Sequence, residues 1–183
     1  MADASPAFRS LAARSRRELE AIHGGGETPD VAALLGYEFR GFNHPRLMGL
    51  LGIRKFIKGF FPARGAAYGF NTPAKQNGLD GDWLAKPDDA NPKRFAFYSV
   101  DADHAAAGSH PNALLLDYSR GDSGPPAKLL RDYVVRVDPG SDELLLGKAY
   151  FAIGSARIPV GFFLLERRRP FEPGTELEAH LRD

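Results

Sequence analysis

The sequence predicts a β-rich α+β fold. An antiparallel meander closes into a barrel or half-barrel, with helices at the N-terminal side and one more helix after the first strand. Apolar residues alternate at period two between Lys128 and Arg168, the pattern of strands with one buried face. Turns of four residues interrupt this stretch, and because they are too short for a crossover helix, neighbouring strands must be antiparallel. Helical spacing of apolar residues is concentrated earlier in the chain, which places most helices ahead of the sheet.

Three strands form this meander, and the sequence places them at Lys128–Asp138, Glu143–Ile153 and Ile158–Arg168. In the first strand Arg131 shares a face with Tyr133 and with apolar neighbours, although a buried cation is costly unless it is paired. Three interpretations stay open: Arg131 reaches solvent at the rim, pairs with a buried acid, or binds an anionic ligand.

Helical patterns dominate the first third of the chain. An amphipathic helix is predicted over Ser5–His23, ended by three glycines, and a short helix over Asp30–Leu35. A strand is predicted at Tyr37–Asn43. The next predicted helix, Arg46–Phe61, has an aromatic-bearing apolar face and a basic polar face, so it can pack on the sheet, cap a barrel or make peripheral contact with a membrane.

The middle of the chain adds strands at Ala66–Thr72, Lys93–Asp101 and Ala113–Ser119, which bring the predicted total to about seven. The segment Asn71–Asp89 is dense in Asn, Asp, Gly and Pro and is predicted to be a loop, with Trp83 as its only large anchor.

A single domain is predicted for the whole chain. Residues 1–26 form its N-terminal helix and glycine linker, residues 27–170 a barrel-like core, and residues 171–183 a polar tail with a helical turn near Glu176–Leu181.

Composition narrows the function classes. With 183 residues and a net charge of +1, the chain has no global field to attract nucleic acid, and none is predicted as a partner. The absence of cysteine excludes disulfides, thiolate metal sites and thiol nucleophiles. It also fits a reducing compartment, and the sequence predicts a cytoplasmic protein. No apolar run reaches transmembrane length.

The order of elements resembles the calycin group, meaning lipocalins and fatty-acid-binding proteins. Tyr37–Asn43 corresponds to the first strand of that barrel, and Arg46–Phe61 to the helical lid that covers the barrel mouth. An Arg-x-Tyr pair on a barrel strand commonly binds a ligand carboxylate in that family, and Arg131-Asp132-Tyr133 matches it in letters. The family's pair lies on the last strand, however, whereas two more strands follow here. The N-terminal helix and the loop Asn71–Asp89 have no counterpart in the family.

Motifs for phosphate, dinucleotide or hydrolase chemistry are absent from the sequence. The candidate metal ligands Asp101, Asp103, His104 and His110 follow no known spacing, and turn formation explains them better. His44, His104 and His110 fall at helix starts or in loops, where one of them could serve as an axial haem ligand at a barrel rim, but surface histidines are the commoner outcome. We predict no metal and no cofactor.

The sequence predicts binding of a small apolar or amphipathic ligand, such as a fatty-acid-like carboxylate, in the barrel. Arg131 would hold the carboxylate with help from Tyr133, and aromatic side chains would line the pocket. The full set of predicted ligand-binding residues is Arg131, Tyr133, Phe39, Arg40, Phe97, Lys148, Phe151 and Phe162.

Two alternatives stay open. One is an isomerase or hydrolase that acts on a small hydrophobic substrate, with interior polar groups such as Asp117 and Lys148 as an acid–base pair. The other is a structural or regulatory domain that meets a partner protein through its Arg-rich first helix. The sequence does not predict the catalytic residues or the oligomeric state.

Overall fold

A computed structural model describes residues 4–44, 52–102, 110–122 and 124–181. Within them, eight antiparallel strands pair in sequence order, and the last pairs with the first to close a barrel. This confirms the predicted β-rich α+β barrel and resolves the half-barrel alternative. The strands are β1 (Tyr37–Asn43), β2 (Lys55–Ala63), β3 (Ala66–Pro73), β4 (Phe95–Asp101), β5 (Leu114–Asp117), β6 (Leu130–Arg136), β7 (Leu144–Ile153) and β8 (Ala156–Pro170).

Helices precede the barrel, as predicted. They are α1 (Pro6–Ala12), α2 (Arg16–Gly25) and α3 (Val31–Leu34). The prediction of one continuous helix over Ser5–His23 is wrong, because Ser15 starts a new helix. Its hydroxyl accepts from the Glu18 N–H while the Glu18 carboxylate accepts from the Ser15 N–H, a reciprocal capping box that fixes the break.

Large side chains fill the barrel interior. Phe39, Phe60, Tyr98, Leu145 and Leu165 share one interior cluster, and each is at most 1% exposed. Leu34 of α3 belongs to the same cluster, so α3 closes one end of the barrel.

A second apolar cluster covers the outer face of the barrel. Phe8, Leu11 and Leu19 of the first two helices pack there against Phe162 and Leu164 of β8. Both faces of several strands are therefore buried, one by the barrel interior and one by the helices.

The predicted helix over Arg46–Phe61 is wrong where the structure describes it. Residues 55–61 belong to β2, with Phe56 and Phe60 inside the barrel and Phe61 in an outer cluster. Residues 45–51 lie outside the described residues. Apolar residues at period two and at helical spacing coincide in this stretch, and tertiary pairing with β1 and β3 decides between them. The lid and the membrane contact expected from this segment are therefore excluded for residues 55–61, which form barrel wall.

The remaining strands agree with the predictions to within a few residues. β5 is shorter than predicted, because Tyr118–Arg120 form a 3₁₀ turn in which the Asp117 side chain accepts from the Ser119 N–H. A further 3₁₀ turn at Ala127–Leu129 leads into β6, and another at Thr175–His180 follows the barrel.

The β7–β8 hairpin projects from one end of the barrel. The pairing of β7 with β6 stops at Phe151, opposite Leu130, and among the described residues the pairing of β8 with β1 stops at Phe163. The hairpin continues beyond both points to the Ile153–Ala156 pair. We call this the hairpin end; β1, β3, β5 and β7 finish there and β2, β4, β6 and β8 begin there.

Candidate functional site

The predicted ligand-binding residues do not converge in the barrel. Phe39 lies inside it, and Phe151 is half-buried near the hairpin end, opposite Leu130. The other members lie on the outer face, by their strand register and their contacts: Arg131, Tyr133, Arg40, Phe97, Lys148 and Phe162.

Arg131 is held by an ion pair on the outer wall. Its Nε lies 3.2 Å from Asp117 Oδ1, on the neighbouring strand, and it donates to the carbonyls of Lys128 and Leu130. Of the three interpretations of Arg131, pairing with an acid is therefore the one observed. The interior position that ligand binding required is wrong, because the neighbouring Asp132 side faces inward. Asp117 is therefore paired with Arg131, and Lys148 with Glu20. The acid–base pair of Asp117 and Lys148 that the sequence suggested is not formed.

Arg40 and Phe97 also have structural surroundings. Arg40 pairs with Glu166 at 3.2 Å, and its guanidinium lies 5.7 Å from the Trp83 ring. Phe97 belongs to an outer cluster and stacks on His180 with ring centroids 4.5 Å apart. Both residues are nearly inaccessible, so they brace the outer wall.

Lys148 and Phe162 do come together. They are cross-strand partners on β7 and β8, and the Lys148 ammonium lies 5.6 Å from the Phe162 ring centroid. They line a groove of about 200 Å³, open to solvent, between the hairpin and the start of α2. Its lining residues are Arg16, His44, Lys148, Pro159, Val160, Gly161 and Phe162.

The position of α2 sets the shape of this groove. Leu19 is fully buried against the barrel, and the buried His23 ring contacts the Tyr133 carbonyl through Nε2 at 2.9 Å. Gly161 lies on the opposite wall and has no side chain to occupy the groove, and a Cβ there would have no atom within 4 Å. The groove is therefore held between a docked helix and the projecting hairpin.

Two cationic side chains line the groove, Arg16 and Lys148, and Lys148 is paired with Glu20. Burial opposes the charged form of Lys148, but hydrogen bonds to Glu20 and Tyr150 outweigh it and hold the pKa of Lys148 above its ordinary value. Arg16 is exposed at the first turn of α2, and His44 is fixed through Nε2 to the Arg14 carbonyl at 2.9 Å. The seven lining residues include no carboxylate. A floor of Pro159, Val160 and Phe162 beside two permanent cations can hold a molecule with an anionic head and an apolar body.

A buried polar cluster inside the barrel was not predicted. The Lys58 ammonium lies 3.2 Å from Asp132 Oδ2 and 3.0 Å from Asn71 Oδ1, and it donates to the Tyr118 hydroxyl. Tyr118 in turn donates to Asp132 Oδ2 at 2.9 Å. Burial lowers the pKa of Lys58 against the opposing effect of Asp132, and burial together with Asp132 raises the pKa of Tyr118.

This cluster has the arrangement of an internal anchor. The three N–H bonds of the Lys58 ammonium have three acceptors, and Lys58 and Asp132 are only 2% and 4% exposed. Each N–H of the ammonium is therefore already directed at a protein acceptor. The alternation of β6 indicates that Asp132 lies among apolar residues. Lys58 was missed because the incorrectly predicted helix Arg46–Phe61 placed it on a polar face.

The histidines and acids weighed as metal or haem ligands are dispersed. Asp103 and His104 lie outside the described residues, Asp101 ends β4, and His110 Nε2 lies 3.0 Å from the Tyr150 hydroxyl. His44 lines the groove described above.

No protein-family model matches this chain, and no curated protein matches it in sequence. The closed eight-stranded antiparallel barrel is consistent with a calycin-like architecture and with ligand binding. Among the described residues, the helices are too short or too polar to cross a membrane.

Proposed function

We propose that this protein binds a small amphipathic carboxylate, such as a fatty acid, in the groove between α2 and the β7–β8 hairpin. The observation that carries the proposal is the juxtaposition of Lys148 and Arg16 with an apolar floor in an open groove of about 200 Å³. Lys148 and Phe162 keep the roles expected from the sequence, but the groove lies outside the barrel.

The barrel interior is a poorer place for this ligand. Side chains such as Phe39, Tyr98 and Leu165 are fully buried there, so a ligand would have to displace well-packed atoms. In the groove, the space is already present and the ligand replaces water.

Two contributions favour binding in the groove. A hydrogen bond from a charged group contributes about 1.5–3 kcal/mol, and Arg16 can bind both oxygens of a carboxylate. Each methylene buried on Val160 and Phe162 contributes about 0.8 kcal/mol. Glu20 competes with the ligand for Lys148, because its carboxylate already accepts from that ammonium.

The test is a titration of the protein with dodecanoate, by displacement of the fluorescent anion anilinonaphthalene sulfonate. Dodecanol, which lacks the charge, is the matched ligand control. Arg16→Gln and Lys148→Gln are each expected to weaken dodecanoate binding by about tenfold, the equivalent of one charged hydrogen bond. Glu20→Gln is expected to strengthen it, since the competing carboxylate is removed.

Arg17→Gln is the control variant, because it removes the same charge one residue along α2 from a side chain that does not line the groove. The proposal is wrong if Arg16→Gln and Arg17→Gln have the same effect, or if dodecanol binds as tightly as dodecanoate.

A further inference from the structure

The most exposed large apolar side chains gather at one end of the barrel. In the described part of the chain they are Ile53, Phe95, Leu129, Ile153 and Ile158, with exposures between 40% and 53%. Ile53 precedes β2, Phe95 begins β4, Leu129 precedes β6, and the two others flank the β7–β8 turn. The strand order therefore places all five at the hairpin end. Single exposed apolar residues are ordinary, but five around one barrel end form a surface.

Cations accompany these apolar residues. Four of the five have an arginine or a lysine next to them in the sequence. The adjacent pairs are Ile53–Arg54, Arg94–Phe95, Lys128–Leu129 and Arg157–Ile158. The Arg157 guanidinium donates to the carbonyls of Gly154 and Ala156 in its own turn, so its charge remains at the hairpin tip. Basic neighbours in the chain thus accompany four of the five exposed apolar residues, although the Arg94 guanidinium lies over the Phe70 ring of the outer wall.

Three of the nearby acids are paired with arginines. Asp117 at this end is held by Arg131 at 3.2 Å. In the segment between β3 and β4, Asp80 lies 3.4 Å from Arg9, and Asp89 pairs with Arg168 at 3.1 Å. Arg94 is offset by Glu176 at 3.3 Å. Asp82, Asp88 and Asp122 also lie in the segments that join strands at this end, so the positive charge is concentrated at the hairpin tip, where Arg157 is the only ionisable residue of the described residues 153–159.

The hairpin tip is the most prominent part of this ring. Residues 153–159 are all exposed, and the strands there pair only with each other in the described residues. Ile153 and Ile158 are 53% and 49% exposed. Because the tip pairs only within the hairpin, these two side chains can be buried against another surface without a change to the barrel.

We infer that the hairpin end docks on the surface of an anionic phospholipid membrane. Ile153 and Ile158 enter the interface between headgroups and acyl chains, while Arg157 and its neighbours bind the lipid phosphates. The interspersed cations fit a phosphate-bearing surface better than an apolar protein face, where each arginine or lysine would be desolvated. Because the whole chain has a net charge of +1, the attraction is local to this end. The inference does not depend on the groove.

Co-sedimentation of the full chain with phosphatidylcholine vesicles, with and without phosphatidylserine, tests this inference. Binding is expected to the vesicles that contain phosphatidylserine, and to weaken as salt is raised. The double change Ile153→Ser and Ile158→Ser is expected to reduce the partition coefficient by about tenfold or more, and Arg157→Gln by about fivefold. Arg64→Gln, at the exposed β2–β3 turn of the opposite end, is the charge control and leaves binding unchanged.

Absence of binding to either vesicle, or binding that the isoleucine variant retains in full, overturns the inference. So does a self-association of the wild-type chain, seen by analytical ultracentrifugation, that the isoleucine variant abolishes. Dodecanoate binding by the isoleucine variant is expected to equal that of wild type, so a failure of membrane docking is distinguishable from a failure of the groove proposal.

Discussion

Replacement of Asp132 by leucine is expected to destabilise the barrel severely. Asp132 is the only carboxylate within ion-pair distance of the Lys58 ammonium in the described residues, at 3.2 Å, and it is also the acceptor of the Tyr118 hydroxyl. Its loss leaves a buried cation without a counter-charge and a buried hydroxyl without its acceptor. Breaking a buried pair from one side costs about 3–5 kcal/mol, which is a large share of the stability of an ordinary domain.

Removal of both charges is expected to cost less than removal of one. The double variant Lys58→Met and Asp132→Leu places apolar side chains of similar size among Phe56, Tyr98 and Phe163, the rings that already surround the ammonium. Replacing a buried ion pair by apolar residues is often neutral or stabilising. The free energy of unfolding of the double variant should therefore exceed that of Asp132→Leu alone by at least about 2 kcal/mol.

Urea denaturation followed by circular dichroism measures these differences, with the double-mutant cycle isolating the coupling between Lys58 and Asp132. Glu143→Gln is the control, because it breaks an exposed ion pair with Arg167 and should cost at most about 1 kcal/mol. A cost of Asp132→Leu no larger than that of the control would refute the anchor role. The anchor role would also be refuted if the double variant lost more free energy of unfolding than Lys58→Met and Asp132→Leu lose in sum.

Two predictions concern pH and helix α2. Hydrogen bonds from the Ser15 side chain and backbone, and from Arg14, lower the pKa of Glu18 from 4.5 to about 2. The stabilising effect of the Glu18 carboxylate is therefore complete above pH 4.5 and is lost as the pH falls from 4.5 to 2. Glu18→Gln should lower the melting temperature at pH 7 but not at pH 2. Burial lowers the pKa of His23 below its ordinary value of 6.5, so the unfolded chain binds the proton more tightly and stability declines as the pH falls below 6.5. Lys148 opposes and Glu20 favours the same protonation. A His23→Gln variant whose stability declined as steeply as that of wild type between pH 6.5 and 5 would exclude this role.

The strands of the meander were predictable because their alternation and short turns leave antiparallel pairing as the only solution. β2 was not, because its phenylalanines, its isoleucine and its lysines satisfy helical spacing as well as period two. The structure shows what decides the matter: Phe56 and Phe60 need the barrel interior, and Gly59 lies so close to the Phe70 ring that a Cβ would be 2.2 Å from it. Such long-range packing is not visible in a window of sequence.

The interior and exterior of β6 could not be distinguished from the sequence. Val134 packs inside the barrel and Val135 outside, under the N-terminal helices, so both faces are buried and apolar. Alternation therefore separates two faces without indicating which one is interior, and Arg131 was assigned to the wrong side. The buried partner of Lys58 was on the opposite face, one residue away.

The groove was predictable only in part. Lys148 and Phe162 follow from strand register, because they are cross-strand neighbours. Arg16 and His44 join them through the docking of α2 and the end of β1, which are remote in sequence from the hairpin. Only the assembled fold brings the cationic side chain of Arg16 to this apolar floor.

Nuclear magnetic resonance mapping of dodecanoate on the ¹⁵N-labelled protein tests the central claim most directly. The account predicts saturable shifts of the amides of Arg16, Lys148, Val160 and Gly161, with dodecanol producing much smaller ones, and no change at Lys58 or Asp132 inside the barrel. Saturable shifts confined to the barrel interior, or no saturable shifts at all, would contradict it.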